Sequence, residues 1–226
     1  MTYDEILRHL KANANPAGLE GMAKFGILTE NALGLSMPFL RRTAKSAGID
    51  HALALRLWQS GIHEARILAA LVDDPAQVTS AQMESWVKDF DSWDVCDQVC
   101  GNLFDRTRLG RRKAAAWTRQ KPEFVRRAGF ALMAALAWHD KKAGDELFLG
   151  YLPLIEKYAS DERNFVKKAV NWALRNIGKR NRTLNRAAVA CARRIARQES
   201  RAARWVAADA IRELTDPKTV ARIKNK

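Results

Sequence analysis

The chain contains few cysteines that could form disulfide bonds, and it has no apolar run long enough to span a membrane. Three of its 226 residues are cysteines, Cys96, Cys100 and Cys191. They are too few for a disulfide framework, as is usual in a reducing compartment. No stretch of 18 apolar residues occurs, so no membrane span is expected. The first residues lack the basic and then apolar pattern of a signal peptide. We therefore expect a cytoplasmic protein.

Motifs for binding metals, nucleotides or cofactors are also missing. Cys96 and Cys100 have no neighbouring pair of ligands, so we expect them to be buried like small apolar residues rather than to bind zinc. The four histidines show no metal-binding spacing, and His63, beside Glu64, is expected to be structural. Glycine-rich phosphate loops are absent, which argues against nucleotide hydrolysis. We expect no metal and no cofactor.

Acidic residues are too few to balance the basic ones. The chain has 39 Lys and Arg against 25 Asp and Glu, which gives a net charge of +14 and a pI of about 10.1. The excess is concentrated, because residues 106–127 carry +8 and residues 161–226 carry +12, whereas residues 51–105 carry −6. This distribution favours a polyanionic partner, and nucleic acid is the first candidate.

The composition is that of an all-α protein, since Ala, Leu, Arg and Lys dominate and β-branched runs are scarce. Apolar periodicity and start signals, such as the capping-box pair Thr2 and Glu5, predict fourteen helices with short connections. Their expected ranges are 2–13, 17–24, 37–47, 50–59, 62–72, 80–88, 92–103, 109–119, 122–138, 144–158, 161–177, 183–197, 201–212 and 216–223.

A repeat of about 40 residues runs through this helical pattern. Residues 123–132 align with 164–173 at an offset of 41 residues, with weaker echoes at 64–68 and 203–207. A helix pair of this length is the signature of a HEAT-like α-solenoid, so we expect residues 1–226 to form one curved domain of stacked antiparallel helix pairs. Basic residues at equivalent repeat positions would line its concave face as a positive stripe; these are Arg66, Arg127, Lys168 and Arg204.

Trp93 and Asp97 form the most informative pair in the chain. At helical spacing they lie one turn apart on the same face, so an indole plane and a carboxylate can address one ligand together. Within so basic a protein, the pair suggests chemistry on a cationic centre that is carried by nucleic acid. Asp94 is the local alternative for the role of the carboxylate.

Four segments, in this order and spacing, resemble the bacterial DNA alkylation repair glycosylases of the AlkD-like type. They are residues 34–42, the pair Trp93 and Asp97, residues 124–128, and residues 165–175. The resemblance spans nearly the whole chain. It implies an α-solenoid DNA glycosylase that removes purines alkylated at N3 or N7 and needs no metal. Because no lysine stands out as a Schiff-base nucleophile, we expect a monofunctional enzyme without a strand-cleaving step.

The resemblance also implies an active constellation of two tryptophans, an aspartate and an arginine. Trp93, Asp97, Arg127 and Trp172 match these positions, and Phe25 falls where relatives can have another aromatic near the damaged base. Arg126 is the neighbouring alternative to Arg127. The remaining tryptophans are expected to lie in the hydrophobic core; they are Trp58, Trp86, Trp117, Trp138 and Trp205.

Further basic residues are expected to contact DNA phosphates. They are Arg41, Arg42, Arg111, Arg112, Arg126, Lys168, Lys179, Arg180, Arg182 and Arg204. The expected partner is double-stranded DNA with alkylated purines, bound by a monomer that associates with the nucleoid. Two alternatives stay open: a non-catalytic protein of the same fold that binds damaged or branched DNA, and a HEAT-type scaffold for an acidic protein.

Overall fold

The computed structural model describes residues 1–223, and within them the chain forms fourteen α-helices and no strand. The expectation of an all-α protein is confirmed, and the helices differ from their expected ranges mainly at the ends. Their bounds are α1 Tyr3–Ala12, α2 Pro16–Lys24, α3 Met37–Ala47, α4 His51–Gln59, α5 His63–Val72, α6 Ser80–Lys88, α7 Trp93–Asn102, α8 Gly110–Trp117, α9 Glu123–His139, α10 Asp145–Tyr158, α11 Asn164–Gly178, α12 Arg182–Ile195, α13 Arg201–Thr215 and α14 Pro217–Arg222.

The chain divides into two compact units. Unit 1 is Met1–Arg108 and contains α1 to α7, followed by a short 3-10 turn at Phe104–Arg106. Unit 2 is Leu109–Lys226 and contains α8 to α14. The expectation that residues 1–226 form one domain stays a prediction.

Unit 1 is built around α5. Eight of the ten residues of this helix are buried, because α3, α4 and α7 all pack against it. Two indoles close the core nearby, since the rings of Trp58 and Trp86 stack with their centroids 4.0 Å apart. An offset stack of two buried indoles contributes about 1 kcal/mol beyond the area that it removes from water. Because neighbouring helices bury most of α5, the residues at its start are held in fixed positions.

Unit 2 has two layers of helices, as HEAT-like repeats do. Helices α9, α11 and α13 lie side by side in one layer, and α10 and α12 lie side by side in the other. Polar contacts tie the first layer together laterally: the Asn171 amide donates to Asp209 at 2.6 Å, and Arg175 donates to Glu213 at 2.6 Å. These contacts fix the rotation of α11, the helix that carries Trp172.

The tryptophans expected in the core divide into two groups. Trp58, Trp86 and Trp117 are buried, which confirms the expectation for these three. Trp138 and Trp205 are 64% and 42% exposed, so for them the expectation was wrong. Each instead has a lysine ammonium over its ring, Lys141 in one case and Lys167 in the other. Trp138 lies at the end of α9, beyond its packed length, and Trp205 lies on the exposed face of α13 between buried positions.

Candidate functional site

The candidate site in unit 1 lies at the start of α7. Trp93 is the first residue of this helix, and Asp97 follows one turn later. Both side chains are partly exposed, whereas Val95, Cys96 and Val99 on the opposite side are buried. The helix therefore presents its indole and its carboxylate on one accessible face, as their spacing predicted.

Asp94, the alternative carboxylate, forms hydrogen bonds with two side chains of the protein. Its Oδ2 lies 2.8 Å from Nε2 of His63, and its Oδ1 accepts from the Ser92 hydroxyl at 2.7 Å. Burial alone would lower the pKa of His63, but the hydrogen bond to Asp94 and the nearby carboxylates outweigh burial and raise it. Burial would likewise raise the pKa of Asp94, and the hydrogen bond from His63 and its charge lower it. This pair fixes the entry into α7, and His63 is structural as expected.

Phe25 lies beside Trp93. The indole Nε1 of Trp93 donates to the backbone carbonyl of Phe25 at 3.1 Å, across 68 residues of sequence. The Phe25 side chain is 71% exposed at the end of α2. The side chain is therefore accessible from solvent on the same side of the protein as the Trp93 indole that its carbonyl binds. Unit 1 therefore brings together three of the predicted residues: Phe25, Trp93 and Asp97.

The segment that follows Phe25 is held by one buried carboxylate. Glu64 is 1% exposed and accepts hydrogen bonds from the backbone N–H groups of Leu33, at 2.9 and 3.0 Å, and of Leu35, at 3.1 Å. Gly34 stands between these donors with a φ of +72°, in the left-handed region that turns successive N–H groups toward one anion. The backbone N–H of His63 adds a bond to the Asn31 carbonyl at 2.9 Å.

The candidate residues of unit 2 lie on α9 and α11. Trp172 is partly exposed on α11, and Lys168, one turn earlier on the same face, is exposed. Arg127 is only 5% exposed on α9, and its Nη1 donates to the Phe165 carbonyl at 2.5 Å. Unit 2 thus places Arg127 against the helix that carries Trp172.

Arg126, the alternative to Arg127, has a structural role. Its guanidinium donates to Asp161 at 2.7 Å and to the Thr118 carbonyl at 3.1 Å, and it lies over the ring of Tyr158. Burial would raise the pKa of Asp161, but hydrogen bonds from Arg163 and Arg126 lower it to about 2. This ion-paired cluster ties the start of α9 to the turn before α11.

Equivalent repeat positions do not share the same exposure. Lys168 and Arg204 are exposed on α11 and α13, but Arg127 is buried. In unit 1, Arg66 donates to the Asp89 carbonyl at 3.1 Å and covers the ring of Trp58. Arg66 and Arg127 are therefore engaged with carbonyls of their own unit, which the repeat register alone did not indicate.

The predicted phosphate contacts also fall into two groups. Three are partly buried with protein partners: Arg126 as above, Lys179 with Glu213 at 2.7 Å, and Arg180 with the Ala137 carbonyl at 2.8 Å. The others have exposed side chains, although Arg111 also pairs with Asp140 at 2.7 Å. The exposed group is Arg41, Arg42, Arg111, Arg112, Lys168, Arg182 and Arg204. Contact with DNA stays a prediction for all ten.

The three cysteines are buried thiols, which confirms the expectation for Cys96 and Cys100. Burial among apolar side chains raises the pKa of the Cys100 thiol well above its ordinary value, and burial raises the pKa of Cys191 to about 12. Cys191 lies within sulfur hydrogen-bond distance, 3.7 Å, of the Leu152 carbonyl. The cysteines therefore belong to the packing of α7 and α12.

Sequence reasoning did not identify Glu64 as the anchor of the Phe25 segment. Its partners are 29 and 31 residues away, so no local pattern connects them. The available signal was a carboxylate in the first turn of a helix rich in apolar residues, since a carboxylate that is buried there needs hydrogen-bond donors. Among the described residues, no helix combines the length and the apolar character that crossing a membrane requires.

Comparisons with known proteins agree with this architecture. The family model described as "DNA alkylation repair enzyme" matches residues 6–214. One similar solved structure is described as "a new family of proteins related to the HEAT-like repeat DNA glycosylases with affinity for branched DNA structures". It has a TM-score of 0.79 at 16% identity, and the match covers 100% of this chain and 98% of that one. At this identity the likeness shows the fold alone, a HEAT-like helical repeat.

A comparison with curated proteins found no significant match. The family model covers almost the whole chain, including α7 with Trp93 and Asp97 and α11 with Trp172. The chain belongs to the DNA alkylation repair enzyme family.

Proposed function

We propose that this protein is a monofunctional DNA glycosylase that hydrolyses the N-glycosidic bond of purines alkylated at N3 or N7 in duplex DNA. One observation carries the proposal: Asp97 is partly exposed one turn after Trp93, on the accessible face of α7 that also carries the indole. A carboxylate on the accessible face of a protein of net charge +14 repels the DNA that this charge attracts. Its presence there is explained if a positive charge develops close to it.

Such a charge develops when an alkylated purine leaves. The base carries a formal positive charge, and when the bond from C1′ to the purine nitrogen breaks, its electron pair neutralises the base. The positive charge passes to the sugar as an oxocarbenium-like centre. Water then adds its oxygen to C1′ and gives up a proton, which leaves an abasic site and a free base. Asp97 would stabilise the sugar cation and orient or deprotonate the water.

The electrostatic effect is large enough to matter. At about 4 Å and an effective dielectric constant of about 20, two unit charges interact with about 4 kcal/mol. Realised only in the transition state, this corresponds to roughly a thousandfold in rate. Trp93, on the same face of α7 as Asp97, would add cation–π attraction of about 1–2 kcal/mol to a cationic nucleotide. Selectivity then comes from the lesion, because an unmodified purine is a far poorer leaving group.

The proposed role of Asp97 is tested with Asp97→Asn, which removes the charge and keeps the size. Release of 7-methylguanine from a defined duplex is measured under single-turnover conditions, and affinity for the same duplex by fluorescence anisotropy. We expect release to fall by roughly a thousandfold while the Kd stays within a few fold. The matched control is Asp91→Asn, an equal charge change at an exposed carboxylate just before α7. Undiminished release by Asp97→Asn would contradict the role.

A second candidate is a non-catalytic protein that binds damaged or branched DNA. Two observations favour it: Arg127 is buried and bonded to the Phe165 carbonyl rather than exposed to a phosphate, and the similar solved protein is described as having affinity for branched DNA. The same assay separates the candidates. Binding of DNA by the wild-type protein without release of any alkylated base would favour the second.

A further inference from the structure

Helix α12 and the turn after it are unusually basic. Residues 182–197 contain five arginines and no Asp or Glu. At 100° per residue, Arg182, Arg186 and Arg193 lie within about 40° of one another around the helix and extend over roughly 16 Å along it. Arg197 follows in the turn beyond the helix, and all four side chains are exposed. These four residues are called the α12 arginine stripe.

The other side of α12 is fully used in packing. Leu184, Ala188, Cys191, Ala192 and Ile195 are buried, and the helix packs against α10, α11 and α13. No apolar face is left to enter a lipid surface, which an interfacial helix requires. The stripe can therefore attract a partner only through charge and hydrogen bonds, so its partner is a polyanion.

A small cavity lies beside one end of the stripe. It has a volume of about 130 Å³ and is lined by Arg182, Asn185, Arg186, Val220 and Ile223. The Asn185 amide donates to the Leu214 carbonyl at 3.1 Å, which holds this wall in place. Arg182 and Arg186 line it one turn apart, and a guanidinium can bind a phosphate there with two parallel N–H···O bonds.

The stripe faces away from the layer that carries the candidate site of unit 2. Trp172 and Lys168 are on α11, in the layer of α9, α11 and α13, whereas α12 belongs to the layer of α10. Because its buried side faces α11, its exposed arginines point the other way. The stripe and Trp172 therefore lie in different helix layers of unit 2, which favours contact with different DNA segments.

We propose that the α12 arginine stripe binds the sugar–phosphate backbone of a second DNA duplex segment, such as another arm of a branched DNA. The inference rests on the proposed DNA-binding function. Duplex DNA carries about one charge per 1.7 Å of its axis, so each arginine along the stripe has phosphates within reach whatever its spacing. The membership in a DNA repair family favours DNA over an acidic protein as the polyanion.

The test neutralises three arginines together, Arg186→Gln, Arg193→Gln and Arg197→Gln. Arg182 stays, since it also has contacts within the protein. The matched control has the same loss of charge at three exposed lysines of unit 1: Lys11→Gln, Lys45→Gln and Lys88→Gln. Both variants, which alter only exposed side chains, are checked for an unchanged melting temperature. Kd values are measured for an undamaged linear 16-bp duplex and for a four-way junction at several salt concentrations.

We expect the stripe variant to bind the linear duplex within about threefold of the control variant and the junction about tenfold or more weakly. The slope of log K against log salt for the junction should fall by up to about 3, because each lost phosphate contact removes about 0.9. An equal loss for both DNAs would overturn the inference, since the stripe would then belong to the primary duplex site. Binding of both DNAs as in the control would also overturn it.

Two further measurements distinguish the inference from membrane binding and from the proposed glycosylase activity. Reduced binding to vesicles containing phosphatidylserine, with DNA binding unchanged, would assign the stripe to a membrane and overturn the inference. Release of 7-methylguanine from a second linear duplex that contains this base should be the same in the stripe variant and the wild-type protein. If the wild-type protein releases no base, the proposed glycosylase fails, but the comparison on undamaged DNA still decides the role of the stripe.

Discussion

Replacing Glu64 with alanine should destabilise unit 1 and loosen the segment that follows Phe25. The carboxylate is 1% exposed and accepts from the backbone N–H groups of Leu33 and Leu35. Alanine would leave both donors without this acceptor, at about 1–3 kcal/mol for each donor that stays buried. Because both leucines are only partly buried, water can recover some of this, and we expect a loss of about 2–4 kcal/mol in the free energy of unfolding.

The loss is measured by urea unfolding, and its location by hydrogen exchange. The amides of Leu33 and Leu35 should lose protection in Glu64→Ala, whereas amides in the core of α5 should lose only what global stability accounts for. Glu64→Gln keeps one acceptor oxygen and should fall between wild type and alanine. Glu30→Ala, at an exposed carboxylate of the same segment, is the matched control and should change stability by less than about 0.5 kcal/mol.

The reasoning would be refuted by an unfolding free energy of Glu64→Ala within about 0.5 kcal/mol of wild type together with unchanged protection of the Leu33 and Leu35 amides. That result would mean that other contacts hold the segment. If the segment does loosen, base release should fall as well, because the Phe25 carbonyl is the acceptor for the Trp93 indole.

Two other perturbations probe unit 2. Gly129→Ala should destabilise unit 2 by about 2 kcal/mol or more, because the new Cβ would lie 2.6 and 2.9 Å from backbone atoms of Thr118 and Ala114. Gly150→Ala in α10 is the matched control, because its Cβ meets nothing within 4 Å, and it should stabilise by about 0.5–1 kcal/mol. Both changes are measured by thermal unfolding. Asp161, with a pKa lowered from 3.8 to about 2, contributes stability that is present above pH 3.8 and is lost as the pH falls toward 2. In Asp161→Asn, the melting temperature should therefore fall less between pH 4 and pH 2 than it does in the wild-type protein. An equal fall in both proteins would contradict this linkage.

Patterns within one helix were predictable from the sequence, and contacts between helices were not. The helical periodicity located all fourteen helices of the described residues, and the spacing of Trp93 and Asp97 gave their shared face. Exposure was harder to infer, because it depends on which neighbour covers a position. Trp205 is an apolar residue that was expected in the core but is exposed. Arg127 is a charged residue that was expected on the surface but is buried against the Phe165 carbonyl.

The candidate site shows the same division. Helical spacing alone left Asp94 and Asp97 as alternatives, and the sequence did not show that Asp94 is bonded to His63, 31 residues before it. The anchoring of the Phe25 segment by Glu64 likewise depends on a contact between distant residues. The α12 arginine stripe can be predicted from the sequence, because the helical spacing of its arginines and the absence of acidic residues are evident there. The helices that pack against α12 cannot be predicted in this way.

The burial of the cysteines has a consequence for survival under genotoxic stress. Electrophiles that methylate purines also methylate thiolates, and they reach a repair protein together with its substrate. Burial raises the pKa of the Cys191 thiol to about 12, so little of the reactive thiolate forms at neutral pH. Cys100 is shielded in the same way. We therefore expect Cys100 and Cys191 to react slowly with the alkylating agents that produce the lesions its family repairs.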